Sequence, residues 1–128
     1  MNPTRLVATV TSAAALLALG ALPAAAGDGD VLRRGGCSGA TSWKIKAGPQ
    51  DGRIEVESEI DSNRVGQTWR WRLVHDGSLT SRGRARTTAP SGSFEVRRIV
   101  VDLQGADALK FRARNPRTGE VCVARVRF

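Results

Sequence analysis

Trp69-Arg70-Trp71-Arg72-Leu73 decides the fold class. Large apolar and charged side chains alternate there with period two. Successive side chains of a strand point to opposite faces, so the tryptophans face inward and the arginines outward. The same period continues on both sides. Trp43, Ile45 and Ala47 alternate with Lys44 and Lys46. Ile54, Val56, Ser58 and Ile60 alternate with Arg53, Glu55, Glu57 and Glu59. After Leu79, Arg82, Arg84 and Arg86 alternate with Gly83 and Ala85. Phe94 and Val96 open the next strand, and Arg97-Arg98 then shifts the phase toward Ile99, Val101 and Leu103. Such a shift predicts a bulge. Leu109, Phe111 and Ala113 alternate with Lys110, Arg112 and Arg114; Cys122, Ala124, Val126 and Phe128 alternate with Val121, Val123, Arg125 and Arg127.

These are seven strands. Pro49-Gln50-Asp51-Gly52 separates the first two. Asp76-Gly77 is a two-residue hairpin signal, which needs positive φ at both central residues. Asn115-Pro116-Arg117-Thr118-Gly119 closes the last hairpin, with Gly119 suited to the left-handed position. No window has a sustained helical period. The expectation is all-β: a seven-stranded antiparallel immunoglobulin-like β-sandwich after a cleavable signal helix.

The 128 residues suffice for one domain. Residues 1–26 read as a signal peptide: Arg5 is the positive region, the stretch from Leu6 to Leu22 is apolar, and Ala24-Ala25-Ala26 offers small residues for cleavage. An uncleaved anchor is the alternative, but alanine-rich segments bury little apolar area. Residues 27–40, rich in glycine and charge, read as a flexible lead-in, and residues 41–128 as the sandwich domain. The expected product is secreted and extracellular, with no stable membrane insertion after cleavage. In an oxidising compartment Cys37 and Cys122 most simply form one disulfide, two free thiols being the alternative.

Cys37-Ser38-Gly39, Trp43-Lys44-Ile45-Lys46, the segment from Asp51 to Glu57, the Trp69 stretch and the segment from Ala89 to Phe94 together resemble small secreted proteins of actinobacteria. That group has no assigned activity, so the resemblance implies export and a sandwich fold. The run from Gly105-Ala106-Asp107 to Ala113 also resembles the turn entering strand F of immunoglobulin-like domains, with Phe111 in place of the tyrosine.

Catalytic constellations are sparse. His75 is the only imidazole and stands beside the Asp76-Gly77 turn, where it reads as a rim histidine; Ser78 is the nearest nucleophile in sequence. Glu55, Glu57 and Glu59 share one strand face at about 7 Å spacing, whereas paired carboxylates for glycoside cleavage face each other across a cleft. Asp61-Ser62-Asn63-Arg64-Val65-Gly66 looks like the opening of a calcium loop, but Arg72 occupies the twelfth position, where an acid is needed; a turn is the better reading. No enzyme, cofactor or metal site is expected. Asn115 to Gly119 resembles a loop motif of chagasin-type cysteine-protease inhibitors, though in that family it comes early in the chain. The second function class is therefore a protein-interaction or inhibitor-like module using this loop and His75-Asp76-Gly77. Trp43, Trp69 and Trp71 read as core residues, with a ligand platform as the alternative.

The basic residues are the informative feature. Net charge is +8, or +7 without the leader, which carries only Arg5. The usual sandwich partition puts strands one, two and five in one sheet and three, four, six and seven in the other. The outer face of the first sheet is then mixed. The outer face of the second carries Arg70, Arg72, Arg82, Arg84, Arg86, Lys110, Arg112, Arg114, Arg125 and Arg127, with no carboxylate. These ten are the candidate anion-binding residues. Arginine outnumbers lysine 17 to 3, so compositional bias is the competing explanation. The candidate partner is an anionic cell-wall or extracellular polymer: wall polysaccharide, phospholipid headgroups or extracellular nucleic acid. No recognition helix exists for sequence-specific reading of nucleic acid.

Overall fold

The computed structural model describes residues 29–128. The signal peptide expected at 1–26 lies outside the described residues. Eight strands follow in order: β1 (Val31–Gly36), β2 (Ser42–Gln50), β3 (Arg53–Asp61), β4 (Thr68–His75), β5 (Ser78–Arg86), β6 (Ser93–Val101), β7 (Ala108–Arg114) and β8 (Val121–Arg127). They form two four-stranded antiparallel sheets, β1-β2-β3-β6 and β5-β4-β7-β8. The inward phases of both sheets make one core, in which Ile45, Ile54, Ile60, Trp69, Leu73 and Phe111 are fully buried. The fold is all-β and sandwich-like. The usual sandwich partition of the seven expected strands is the one observed, with β1 added beside β2.

The strand count is eight, not seven. The added strand is β1, inside the stretch read as a flexible lead-in. It lacks alternation and is held by partners elsewhere: its backbone pairs with β2 from Val31↔Ala47 to Gly36↔Ser42. Its glycines have a packing use. A Cβ on Gly35 would come within 2.4 Å of the Trp43 ring, and Trp43 Nε1 donates to the Gly36 carbonyl at 3.1 Å. Trp43 is consequently only partly buried, lying against the core's margin.

No bulge occurs at Arg97-Arg98. β6 pairs with β3 without a break from Arg53↔Val101 to Asp61↔Ser93. Phe94, Val96 and Val100 keep one inward phase, and Arg98 takes the inward slot between Val96 and Val100. Its guanidinium carbon lies 4.9 Å from the Trp71 ring centroid, and its Nε donates to Ser81 Oγ at 3.1 Å. At the edge of a sandwich a long cationic side chain covers an aromatic face while its head stays in water. Ile99, Val101 and Leu103 are therefore exposed, by 38%, 57% and 45%. The irregularity lies in the other sheet, where the β4–β5 register shifts between Leu73 and Val74.

The turns fall where expected, except that Pro49 and Gln50 belong to β2, paired with Ile54 and Arg53, and leave Asp51-Gly52 alone as the first turn. Asp76 and Gly77 both have positive φ, at 46° and 81°, and Asp51-Gly52 has 49° and 75°. Gly119 is left-handed at φ 76°. Cys37 and Cys122 are bonded, tying the segment after β1 to β8 across the two sheets. The bridge spans 85 residues, and closing so long a loop in the unfolded chain is worth about 4.5 kcal/mol. Replacing both cysteines by serine should lower the unfolding free energy by about that amount in urea titrations. A loss under about 1 kcal/mol would place the stabilising effect elsewhere.

Candidate anion-binding face

The register of sheet β5-β4-β7-β8 turns an alternation into a grid. Arg70 on β4 stands opposite Arg84 on β5 and Arg114 on β7. Arg72 stands opposite Arg82 and Arg112. Two rows of three arginines thus cross the sheet. Directly opposed residues have Cβ atoms about 4.5–5.5 Å apart, and residues two apart along a strand are separated by about 7 Å. The six side chains line a cleft of about 650 Å³ together with Trp71 and Gly83, the cross-strand pair that sits between the rows. Gly83 is required there: a Cβ would lie 2.9 Å from Trp71 Cζ2.

The other four predicted cations flank the cleft without lining it. Arg86 stands opposite Thr68, Lys110 is between Val74 and Arg125, and Arg127 is opposite Ala108. None of the ten enters an ion pair among the described residues.

The outer face of the other sheet behaves differently. Lys44 and Lys46 stand opposite Glu59 and Glu57, with Nζ–Oε2 separations of 3.4 and 2.7 Å. Arg97 hydrogen-bonds Glu55. That bond holds the Glu55 carboxyl below its ordinary value, and the hydrogen bond with Glu57 raises Lys46 despite partial desolvation. Glu55, Glu57 and Glu59 are thus each paired with a cation, while Glu59 also stands directly opposite Glu95 on β6, as cross-strand neighbours and not across a cleft.

No protein family, curated protein or solved structure matches the chain. Guanidinium groups are donors only, stay charged, and match phosphate and carboxylate oxygens with two parallel bonds. The grid therefore presents a dense field of donors with nothing on the sheet to consume them.

His75 is not the rim residue its turn position suggested. It is 6% exposed, and its Nε2 lies 2.6 Å from Oδ1 of Asp107, itself fully buried. Leu103 N–H also donates to Asp107 Oδ1, at 3.2 Å, and Ala108 N–H donates to Asp76 Oδ1, at 2.8 Å. The pair joins the end of β4 to the turn before β7. Nothing local in the sequence marks the partnership, because 32 residues separate the two. His75, Asp76 and Asp107 also form the one group of possible metal ligands among the described residues. The histidine–aspartate separation is that of a hydrogen bond, however, whereas two ligands of a tetrahedral zinc lie about 3.3 Å apart. Ser78 stands directly opposite His75 across the β4–β5 hairpin but is exposed, and among the described residues no hydroxyl hydrogen-bonds the imidazole.

The inhibitor-like loop is likewise occupied with its own turn. Asn115 is buried, and its Oδ1 accepts from the backbone N–H groups of Arg117 and Thr118, at 2.9 and 3.3 Å. The segment from Asp61 to Gly66 is a turn: Asn63 N–H donates to Asp61 Oδ1 at 3.1 Å, and Asn63 and Gly66 have positive φ. Among the described residues no helix is long and apolar enough to cross a membrane.

Burial pushes the Asp107 carboxyl up, but the hydrogen bonds from His75 and Leu103, with the charge of His75, outweigh it and hold the group below its ordinary value. A carboxyl that ionises lower when folded stabilises the fold fully above its unfolded pKa, and that contribution fades as pH falls through the folded value. Asp107→Asn removes it. The stabilities of wild type and variant should therefore differ near neutrality and converge in strong acid, by denaturant titration at each pH. A gap that stays constant with pH would exclude the ionisation of Asp107 as its source.

Proposed function

We propose that the protein is a secreted, non-catalytic β-sandwich that binds anionic extracellular polymers through the outer face of sheet β5-β4-β7-β8. One observation carries this reading: two in-register rows of three arginines, on a sheet whose four strands contain no aspartate or glutamate. Like charges directly opposed across a sheet repel and cost stability. A polyanion lying over the rows offsets that repulsion and releases its own counterions. The leader at 1–26 supports export, and the Cys37–Cys122 disulfide fits an oxidising compartment. An immunoglobulin-like type is part of the proposal. The set β2, β3 and β6 facing β5, β4, β7 and β8, with β1 added at one edge, supports it.

Heparin-agarose chromatography tests the reading. The wild type should be retained at low salt and elute as salt rises. Arg82→Ser, Arg84→Ser, Arg112→Ser and Arg114→Ser combined should elute earlier. The slope of log affinity against log salt should fall by about 3 for four lost contacts. Retention unchanged by the four substitutions would refute the proposal.

A further inference from the structure

We infer that the six-arginine cleft is a site for closely spaced phosphate groups, so that the polymer it takes is a polyphosphate chain, distinct from a carboxylate polysaccharide or a base-stacked nucleic acid. This inference rests on the reading of the face given above and narrows it.

The geometry of the rows separates the candidates. Each arginine of β4 has an arginine directly opposite on both sides, so an anion seated between strands meets two guanidinium groups. A carboxylate has two oxygens whose acceptor sites all lie in one plane, so guanidinium groups reach it only within that plane. Each internal unit of a polyphosphate chain has two non-bridging oxygens set tetrahedrally about phosphorus, and the units follow one another with no spacer, so neighbouring units turn acceptors to guanidinium groups on both sides at once. The rows are also dense: six fixed charges border about 650 Å³. An acidic polysaccharide dilutes its charge with hydroxyl groups. Those hydroxyls need acceptors when water leaves, and the cleft's six charged side chains are all donors.

Base stacking is not provided for. Single-stranded nucleic acids are held through aromatic platforms as well as charge. Trp69, Trp71 and Phe111 of this sheet are buried in the core, and the outward phases of its strands carry no aromatic residue. Trp71 is further covered by Phe111, at 5.6 Å between ring centroids, and by Arg98. What remains for a ligand is charge and donor geometry alone.

The probe is inorganic polyphosphate of defined length, competing with labelled heparin for the full-length secreted protein. Polygalacturonate and oligo(dT), matched for total charge, are the comparison polymers. Polyphosphate should compete about tenfold better per charge than either, a difference of about 1.4 kcal/mol. Arg72→Ser with Arg112→Ser, a directly opposed pair in the cleft, should erase that preference. Arg125→Ser with Arg127→Ser removes the same charge from the same sheet outside the cleft and should keep it. Thermal unfolding of both variants checks that they fold; relief of repulsion should leave the Arg72/Arg112 variant no less stable. Equal competition by polygalacturonate or oligo(dT), or equal loss in the two variants, overturns the phosphate site while the basic-face reading stands. Failure of heparin and polyphosphate alike to bind wild type overturns both.

Discussion

Trp71 holds the second sheet in register. Its ring stacks on Phe111 at 5.6 Å with an interplanar angle of 23°, lies across Gly83, and is capped by Arg98. Each neighbour comes from a different strand: β7, β5 and β6. A slip of β4 by one residue would turn Trp69, Trp71 and Leu73 to solvent and bury Arg70 and Arg72. Burying an unpaired arginine costs several kcal/mol, so the slipped state is closed to the chain. The inward position of the tryptophans therefore sets the outward position of the arginines. Pairing on both sides then brings arginine opposite arginine.

This explains why so much of the fold was legible. Period two assigns each residue of β2, β3, β4, β7 and β8 to a face, and Asp51-Gly52, Asp76-Gly77 and Gly119 mark the turns. β1 escaped because it has no alternation of its own. It is an edge strand whose conformation comes from β2 and whose glycines admit the Trp43 ring. The phase shift at Arg97-Arg98 looks like a bulge for a related reason. An arginine on an inward phase reads as a break in phase unless an aromatic ring is known to lie beneath it, and Trp71 is 27 residues away.

The candidate site divides in the same way. The ten outward cations followed from the strand phases and from the assumed partition of strands between sheets. Which six share a cleft did not, because that depends on cross-strand register. The two rows arise because β5 and β7 both place arginines beside Arg70 and Arg72. His75 and Asp107 show the limit most plainly. Their hydrogen bond is a tertiary contact between single residues with no periodic signal, and a histidine at a hairpin looks exposed until its partner is found.

The two outer faces also bear on why the arginines are there. Compositional bias is the competing explanation for 17 arginines against 3 lysines. It acts on the whole chain, so it does not account for where carboxylates are missing. Sheet β1-β2-β3-β6 places Glu55, Glu57, Glu59 and Glu95 among its cations, and three of these glutamates form ion pairs. Sheet β5-β4-β7-β8 has ten cations on its strands and no acid. One acid in either row would lower the repulsion at little cost to solubility, since exposed opposite pairs across a sheet are mildly stabilising. Edge protection explains charge on β5, which lies at the sheet margin, but not on the central strands β4 and β7. The proposed anion binding calls for such an all-cationic patch spanning edge and centre, and the pairing of Glu55, Glu57 and Glu59 on the other outer face sets the two faces apart.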